Sequence, residues 1–370
     1  MRIAPFRIER YYAEHEFSAP HMLSSSDAES VPVAELLALE LDATERLLAQ
    51  RLGYTESRGA PELRAAASAL YETAGVEDVV VVSAAEEGIF VAYNALLDSG
   101  DHVVVETPCY ESALQVARSA GAEVTEWRRS AAAGWAHDLD ALEAALRPDT
   151  KLVYINTPHN PTGLLMSAGV LERVVELCEE RGSWLFCDEV YRELEHDPAE
   201  RLPAAVDLYD RALSLGSMSK TYGLPGLRLG WIACRDRDAL AAIVDFKHYT
   251  TICASAPSEL LSALALRHRY VLADRSRTLV LANLDHVDAF LSRRQDRFSW
   301  TRPDAGTIGF VRVEGVDDTA AFCGRLVAEA GVLLLPGTVY DEPGHVRLGF
   351  GRASLPEALA LFDTWIETRS

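Results

Sequence analysis

Basic residues are scarce relative to acidic ones. The 370-residue chain holds 35 Lys and Arg against 56 Asp and Glu, a net charge of −21. That balance argues against nucleic-acid or anionic-membrane partners, which need basic patches to displace counterions. Paired cysteine motifs are also missing. Cys109, Cys178, Cys187, Cys234, Cys253 and Cys323 stand apart with no C-x-x-C spacing. A disulfide framework and a zinc site are therefore not expected, no metal is expected, and a reduced, cytoplasmic protein is. No apolar run approaches the roughly 18 residues that a membrane span requires. The opening stretch MRIAPFRIERYY is basic but has no apolar core of a signal peptide. There is no internal repeat, and low complexity is confined to Ala131–Ala133.

What remains is the balance of an ordinary globular protein, 49% hydrophobic and 25% charged, long enough for two packed domains. Short β-branched runs alternate with helical patterns from Val79 onward. Strands are expected at Val79–Val82, His102–Glu106, Glu123–Trp127, Lys151–Asn156, Trp184–Cys187, Ala212–Leu215 and Leu229–Cys234. Helical spacing lies between them, so the fold class is α/β with a mostly parallel mixed sheet. Beyond about residue 240 the pattern changes. A long helix is expected from Ser258 to about Arg294, followed by short strands and helices of a smaller α+β domain. Apolar residues recur at helical spacing from Val33 to Leu48. This gives three expected units: 1–48, an arm and helix packing with the small domain; 49–255, the large domain; 256–370, a bridging helix and the small domain.

The residues with chemical potential fall after the strands. In open α/β sheets ligands bind beyond the carboxyl ends of the strands. Ala84, Ala85 and Glu86 open a helix after the first strand, where free N–H groups favour a phosphate. Tyr110 follows the second strand and Asn160-Pro161-Thr162-Gly163 the fourth. Asp188-Glu189-Val190-Tyr191 follows the fifth, and Ser217-Met218-Ser219-Lys220 the sixth, with Arg228 eight residues on. A lysine beside small hydroxyls, a tight turn and an arginine suits one task. The amine forms an imine with an aldehyde, while the hydroxyls and guanidinium hold its phosphate.

This ordered set resembles the fold type I enzymes that use pyridoxal 5′-phosphate (PLP), and within them the class I/II aminotransferases. The resemblance runs from about Leu52 to the C-terminus. It implies a PLP-dependent transferase fold of type I and an aminotransferase acting on an α-amino acid by Cα proton abstraction. It makes Lys220 the Schiff-base lysine and proton shuttle, and Asp188 the partner of the ring nitrogen. Asn160 and Tyr191 are implied at the phenolic oxygen, with Tyr110 stacked on the ring. Ala85, Glu86, Ser217, Ser219 and Arg228 are implied around the phosphate. Tyr54 is implied at the phosphate of a neighbouring subunit, hence a homodimer with shared active sites. Arg347, in His345-Val346-Arg347-Leu348-Gly349, matches the family's arginine for the substrate carboxylate.

Two stretches depart from the common pattern. Glu86 places an acid in the phosphate loop. The substrate loop, usually an apolar residue and a glycine, reads Leu23-Ser24-Ser25-Ser26-Asp27-Ala28-Glu29-Ser30. Such a gate, with Ser25 as a contact, suits a polar or cationic side chain, or is a solvated capping loop. With Phe246–Ile252 it is similar to a branch of the family that includes capreomycidine synthase, whose members eliminate and cyclise hydroxylated arginine. A PLP-dependent lyase or cyclase is therefore the alternative to transamination. A regulator with an added DNA-binding domain is disfavoured by the acidity.

Overall fold

The computed structural model describes residues 2–368. Its large sheet has seven strands in the order Val79–Val82, Gly230–Ala233, Ala212–Ser217, Trp184–Asp188, Thr150–Asn156, His102–Thr107, Glu123–Arg128. Only Gly230–Ala233 runs against the others. Five of the seven strands, all but Glu123–Arg128 and Thr150–Asn156, are buried along their whole length. Burial on both faces is why these runs read as continuous Val, Ile and Leu and not as alternating patterns. Helices cover both sides, among them Ala84–Leu96, Ser112–Ala120, Ala168–Arg181 and Arg237–Lys247. The last of these escaped the sequence pattern, which placed no helix there.

A second sheet of four antiparallel strands carries Arg347. Its order is Leu335–Pro336, His345–Gly349, Ile308–Val313, Phe298–Trp300. Thr319–Ala330, Leu355–Glu367 and the long helix pack on it through Phe290, Phe322, Phe362 and Trp365. The N-terminal segment is tied to this unit, since His21–Met22 pairs in parallel with Val332–Leu333.

Two expectations are corrected. The helix read from Val33 to Leu48 is two short helices, Val33–Leu37 and Ala43–Ala49. They pack through Leu36 and Ala43 against Leu63 and Leu261, on the large unit and not on the small sheet. Leu41 and Leu48 stay exposed, so part of the apolar spacing served no core in the single chain. The long helix breaks at His268, where the backbone turns to φ −108°, ψ 23° and the imidazole meets Glu40 at 3.1 Å. Helices Ala256–Arg267 and Arg269–Arg293 result. All six cysteines are unbridged, and Cys253 alone is not fully buried. Among the described residues no helix is long and apolar enough to cross a membrane.

Candidate active site

Strand ends of the large sheet converge on a cavity of about 530 Å³. Asp188 closes its strand at the cavity floor. Its carboxylate accepts from the Val190 amide at 3.2 Å and from the Tyr154 hydroxyl, on the neighbouring strand, at 3.1 Å. Burial raises this carboxyl to about 6, only partly offset by the Val190 and Tyr154 hydrogen bonds and by the charge of Lys220. Lys220 lies just beyond the next strand. Its Nζ donates to Ser26 Oγ at 2.8 Å, and burial lowers the amine's pKa while Asp27 works against that. Ser217 and Ser219 also face the cavity, their hydroxyls 3.0 Å apart.

Asn160 is held by its own loop, its amide donating to Asn156 Oδ1 at 2.7 Å. Asn156 in turn donates to the Asp188 carbonyl at 2.8 Å. The Asn156 backbone amide is bound by Glu106, a buried carboxylate held by Arg129 and His137. This inner layer fixes the floor. Asn160 Oδ1 accepts from Tyr340 and Arg347, which leaves its side-chain nitrogen for the cavity.

The phosphate side begins at the helix Ala84–Leu96. Ser83 supplies no side-chain cap, so the first amides are open to an anion. Ala84 sits at φ 68°, a left-handed geometry where glycine would be unstrained. The turn is packed against Gly230, where any Cβ would meet the Gly216 carbonyl at 2.7 Å. Ala85 and Glu86 line the cavity with Arg228, which is also left-handed (φ 49°) and whose guanidinium donates to the Pro225 carbonyl. Burial pushes the Glu86 carboxyl up to about 7, and its Oε2 has no hydrogen-bond partner among the described residues. Uncapped amides, a serine pair and a loosely engaged arginine make a cradle for a dianionic phosphate.

Tyr110 lines the cavity and donates to Glu9 at 2.8 Å, its ring 5.0 Å from that of Phe6. Tyr191 is buried and donates to the Ser26 carbonyl at 2.9 Å. Ser25 is at the cavity wall. Tyr54 is not brought in. It is 93% exposed and lies on an outer surface with Leu52 and Cys253. Arg347 is adjacent but covered: it is 1% exposed and does not line the cavity. Its Nη1 meets Tyr340 at 2.6 Å, and its Nη2 meets Tyr12 at 2.7 Å and the Ser24 carbonyl at 2.9 Å. Nε alone is without a partner among the described residues.

Of the wall facing the strand ends, the loop with Ser25, Ser26 and Asp27 was singled out from the sequence, while the helix beside it was not. The helix Arg7–His15 turns Glu9 and Tyr12 toward the cavity, with Glu16 just past its end. Positions i, i+3 and i+7 share one helix face, a signal that was present but diluted by Arg and Tyr on the other side. Ser26 and Asp27 complete this wall, and Arg352 holds Asp27 at 2.7 Å. Burial, Glu9 and Asp27 together raise the Glu16 carboxyl, the mark of crowded like charges.

Sheet order, the second smaller sheet and the polar strand ends define the type I transferase fold. The chain belongs to the aminotransferase class I and II family, whose model matches residues 24–360. Capreomycidine synthase of Streptomyces vinaceus is 32% identical over 367 residues, covering 98% of this chain and 94% of that protein. A PLP-dependent aminotransferase of Streptococcus suis superposes with a TM-score of 0.94 at 32% identity, over 100% of this chain and 99% of its own. The PLP-dependent cyclase OrfR superposes at 0.92 with 28% identity, over 100% and 99%.

Proposed function

We propose that this chain is a PLP-dependent enzyme that removes the Cα proton of an amino acid with a cationic side chain, and then eliminates and cyclises. The observation that carries the substrate class is the acidic wall. Glu9, Glu16 and Asp27 line this wall of the cavity, against the few cations there. Those cations are already committed, Arg228 to a phosphate and Lys220 to proton transfer. A guanidinium or ammonium entering beside Glu9 and Glu16 relieves the repulsion that raises Glu16.

The cofactor fits the residues present. The open amides of Ala85 and Glu86, Ser217, Ser219 and Arg228 would hold its phosphate. Asp188, a buried carboxylate at the cavity floor, would pair with its ring nitrogen. Asn160 and Tyr191 would flank its phenolic oxygen, and Tyr110 would lie against its ring. Bound there, PLP supplies the sink for the electron pair left at Cα. Lys220, its amine kept basic enough to accept a proton yet lowered by burial, takes the Cα proton. Arg347 receives the substrate carboxylate once the Tyr12 hydroxyl gives up Nη2, and this fixes which Cα bond faces the sink. The elimination and ring closure are supported by full-length likeness to capreomycidine synthase and to the cyclase OrfR.

Transamination is the second reading, favoured by the family and by the Streptococcus suis relative. Both begin with the same proton, so the strand-end residues do not separate them. Incubation with β-hydroxyarginine and no keto acid does. Repeated turnover supports elimination and cyclisation; a single round ending in the amine form of the cofactor supports transamination. The exposed Leu41, Leu48, Leu52, Tyr54 and Tyr249 fit a homodimer in which Tyr54 reaches the neighbour's phosphate. Light scattering that gives one chain's mass at micromolar concentration would remove Tyr54 from the site.

A further inference from the structure

Ser26 belongs to the serine-rich substrate loop, and its hydroxyl is engaged on one side and open on the other. It accepts from Lys220 Nζ at 2.8 Å, while its own proton has no partner among the described residues and the side chain lines the cavity. Its backbone cannot drift. The Ser26 carbonyl is bound by Tyr191 at 2.9 Å and by Thr307 at 2.8 Å. One neighbour, Asp27, is held by Arg352. The loop's Ser24 carbonyl binds both Tyr12 and Arg347. The hydroxyl is thus fixed on a loop running from the carboxylate arginine to the lysine amine. A hydroxyl that accepts from an amine and presents its proton to the cavity is a one-step relay.

We propose that Ser26 is a catalytic residue that carries the Cα proton from Lys220 to the oxygen leaving Cβ, and so directs the reaction to elimination. The inference rests on the elimination reading above. Lys220 takes the Cα proton, and the C–H electron pair becomes the second Cα–Cβ bond. The Cβ–O pair departs with the oxygen. Ser26 gives its proton to that oxygen and is reprotonated by the Lys220 ammonium. One water is lost, no oxidant is needed, and neither side chain is consumed. A hydroxide is a poor leaving group at neutral pH, so a positioned proton donor is worth about 10²–10⁴-fold.

The test compares the native enzyme, Ser26→Ala and Ser26→Thr on β-hydroxyarginine without keto acid, in D₂O. Water loss and Cα–H exchange are followed separately by NMR. Ser26→Ala is expected to lose water elimination about 100-fold or more while Cα exchange falls less than tenfold, and to divert substrate to the amine form of the cofactor. Ser26→Thr, which keeps the hydroxyl, is expected to recover elimination to within about tenfold. In the cofactor-stripped chain, acetic anhydride labelling of Lys220 against pH should show a lower midpoint in Ser26→Ala, because the ammonium loses an acceptor. Parallel loss of elimination and exchange, no loss of either, or an unmoved labelling midpoint would overturn the relay. If the native enzyme transaminates β-hydroxyarginine and never eliminates it, the elimination reading itself falls; a native enzyme that eliminates while Ser26→Ala keeps pace sinks Ser26 alone.

Discussion

The two walls of the cavity are built in different ways. The strand-end wall takes Asp188, Asn160, Ser217, Ser219 and Lys220 from the last residues of buried parallel strands and the turns just after them. Its floor bonds within the sheet layer, in the chain from Glu106 through Asn156 to Asp188, while Asn160 and Lys220 reach across to Arg347 and Ser26. The opposite wall comes from the helix Arg7–His15 and the loop at 23–27, and bonds to distant partners such as Arg347, Arg352 and Tyr191. Rigid positioning suits groups that must hold one cofactor. An arm docked by a few polar contacts suits a substrate side that must open and specialise.

The largest effects should come from the rigid wall. Lys220→Ala is expected to lower turnover by about 10⁴-fold or more and to remove the visible absorbance of the cofactor-bound enzyme, since among the described residues no other lysine lines the cavity. Turnover and chromophore both surviving would break the contrast at its strongest point. Arg347→Ala joins the two walls, because its guanidinium is shared by Tyr12, Tyr340 and Asn160. KM for α-amino acids should rise about 100-fold. An unchanged KM would show that the carboxylate binds elsewhere and that Tyr12 never yields.

The same contrast explains what could be read in the sequence. Strands buried on both faces leave uninterrupted β-branched runs such as Val79–Val82, and the polar residue after each is conspicuous. Asp188 and Lys220 are legible for that reason. The acidic wall leaves no such trace. Glu9 and Tyr12 lie on a nine-residue helix and Glu16 just past its end; the apolar side chains Ile8 and Tyr11 show which face packs, not what the glutamates face. Ser26 was visible only as one of three serines; which of them meets Lys220 depends on contacts with Thr307 and Tyr191, far away in the chain. The break at His268 and the split at Ala38–Asp42 likewise follow from tertiary partners such as Glu40, which no local propensity encodes.

Glu86 tests the cost of an acid inside the rigid wall. Its carboxyl titrates at about 7 in the fold, with burial as the main cause, against about 4.3 in an unfolded chain. Between those values the folded chain binds the proton more tightly than the unfolded one, so this group removes stability as pH rises. The loss is absent below about pH 4 and complete above about pH 7, with an upper bound of about 4 kcal/mol. Glu86→Gln in the cofactor-free chain should therefore melt higher than the native sequence at pH 8, with the difference shrinking toward zero at pH 4. A constant difference across that window would mean that Glu86 is ionised throughout. It would then count as a fixed negative charge in the rigid wall.

The smallest expected effects belong to the docked arm. Glu9 and Glu16 are exposed at the residue level, so each contributes to a cationic side chain through solvent-screened attraction of the order of 1 kcal/mol or less. Glu9→Gln and Glu16→Gln should each raise KM for arginine-type substrates about two- to fivefold, leave kcat in place, and do so less at high salt. Glu9 also accepts the Tyr110 hydroxyl, so its variant should additionally weaken cofactor retention slightly, whereas Glu16→Gln should not. The decisive control is a neutral amino acid of similar length. If its KM rises as much as that of the basic one, the two glutamates shape the arm without reading charge. If only the basic substrate is affected, and the effect fades with salt, the arm is the element that selects a cation.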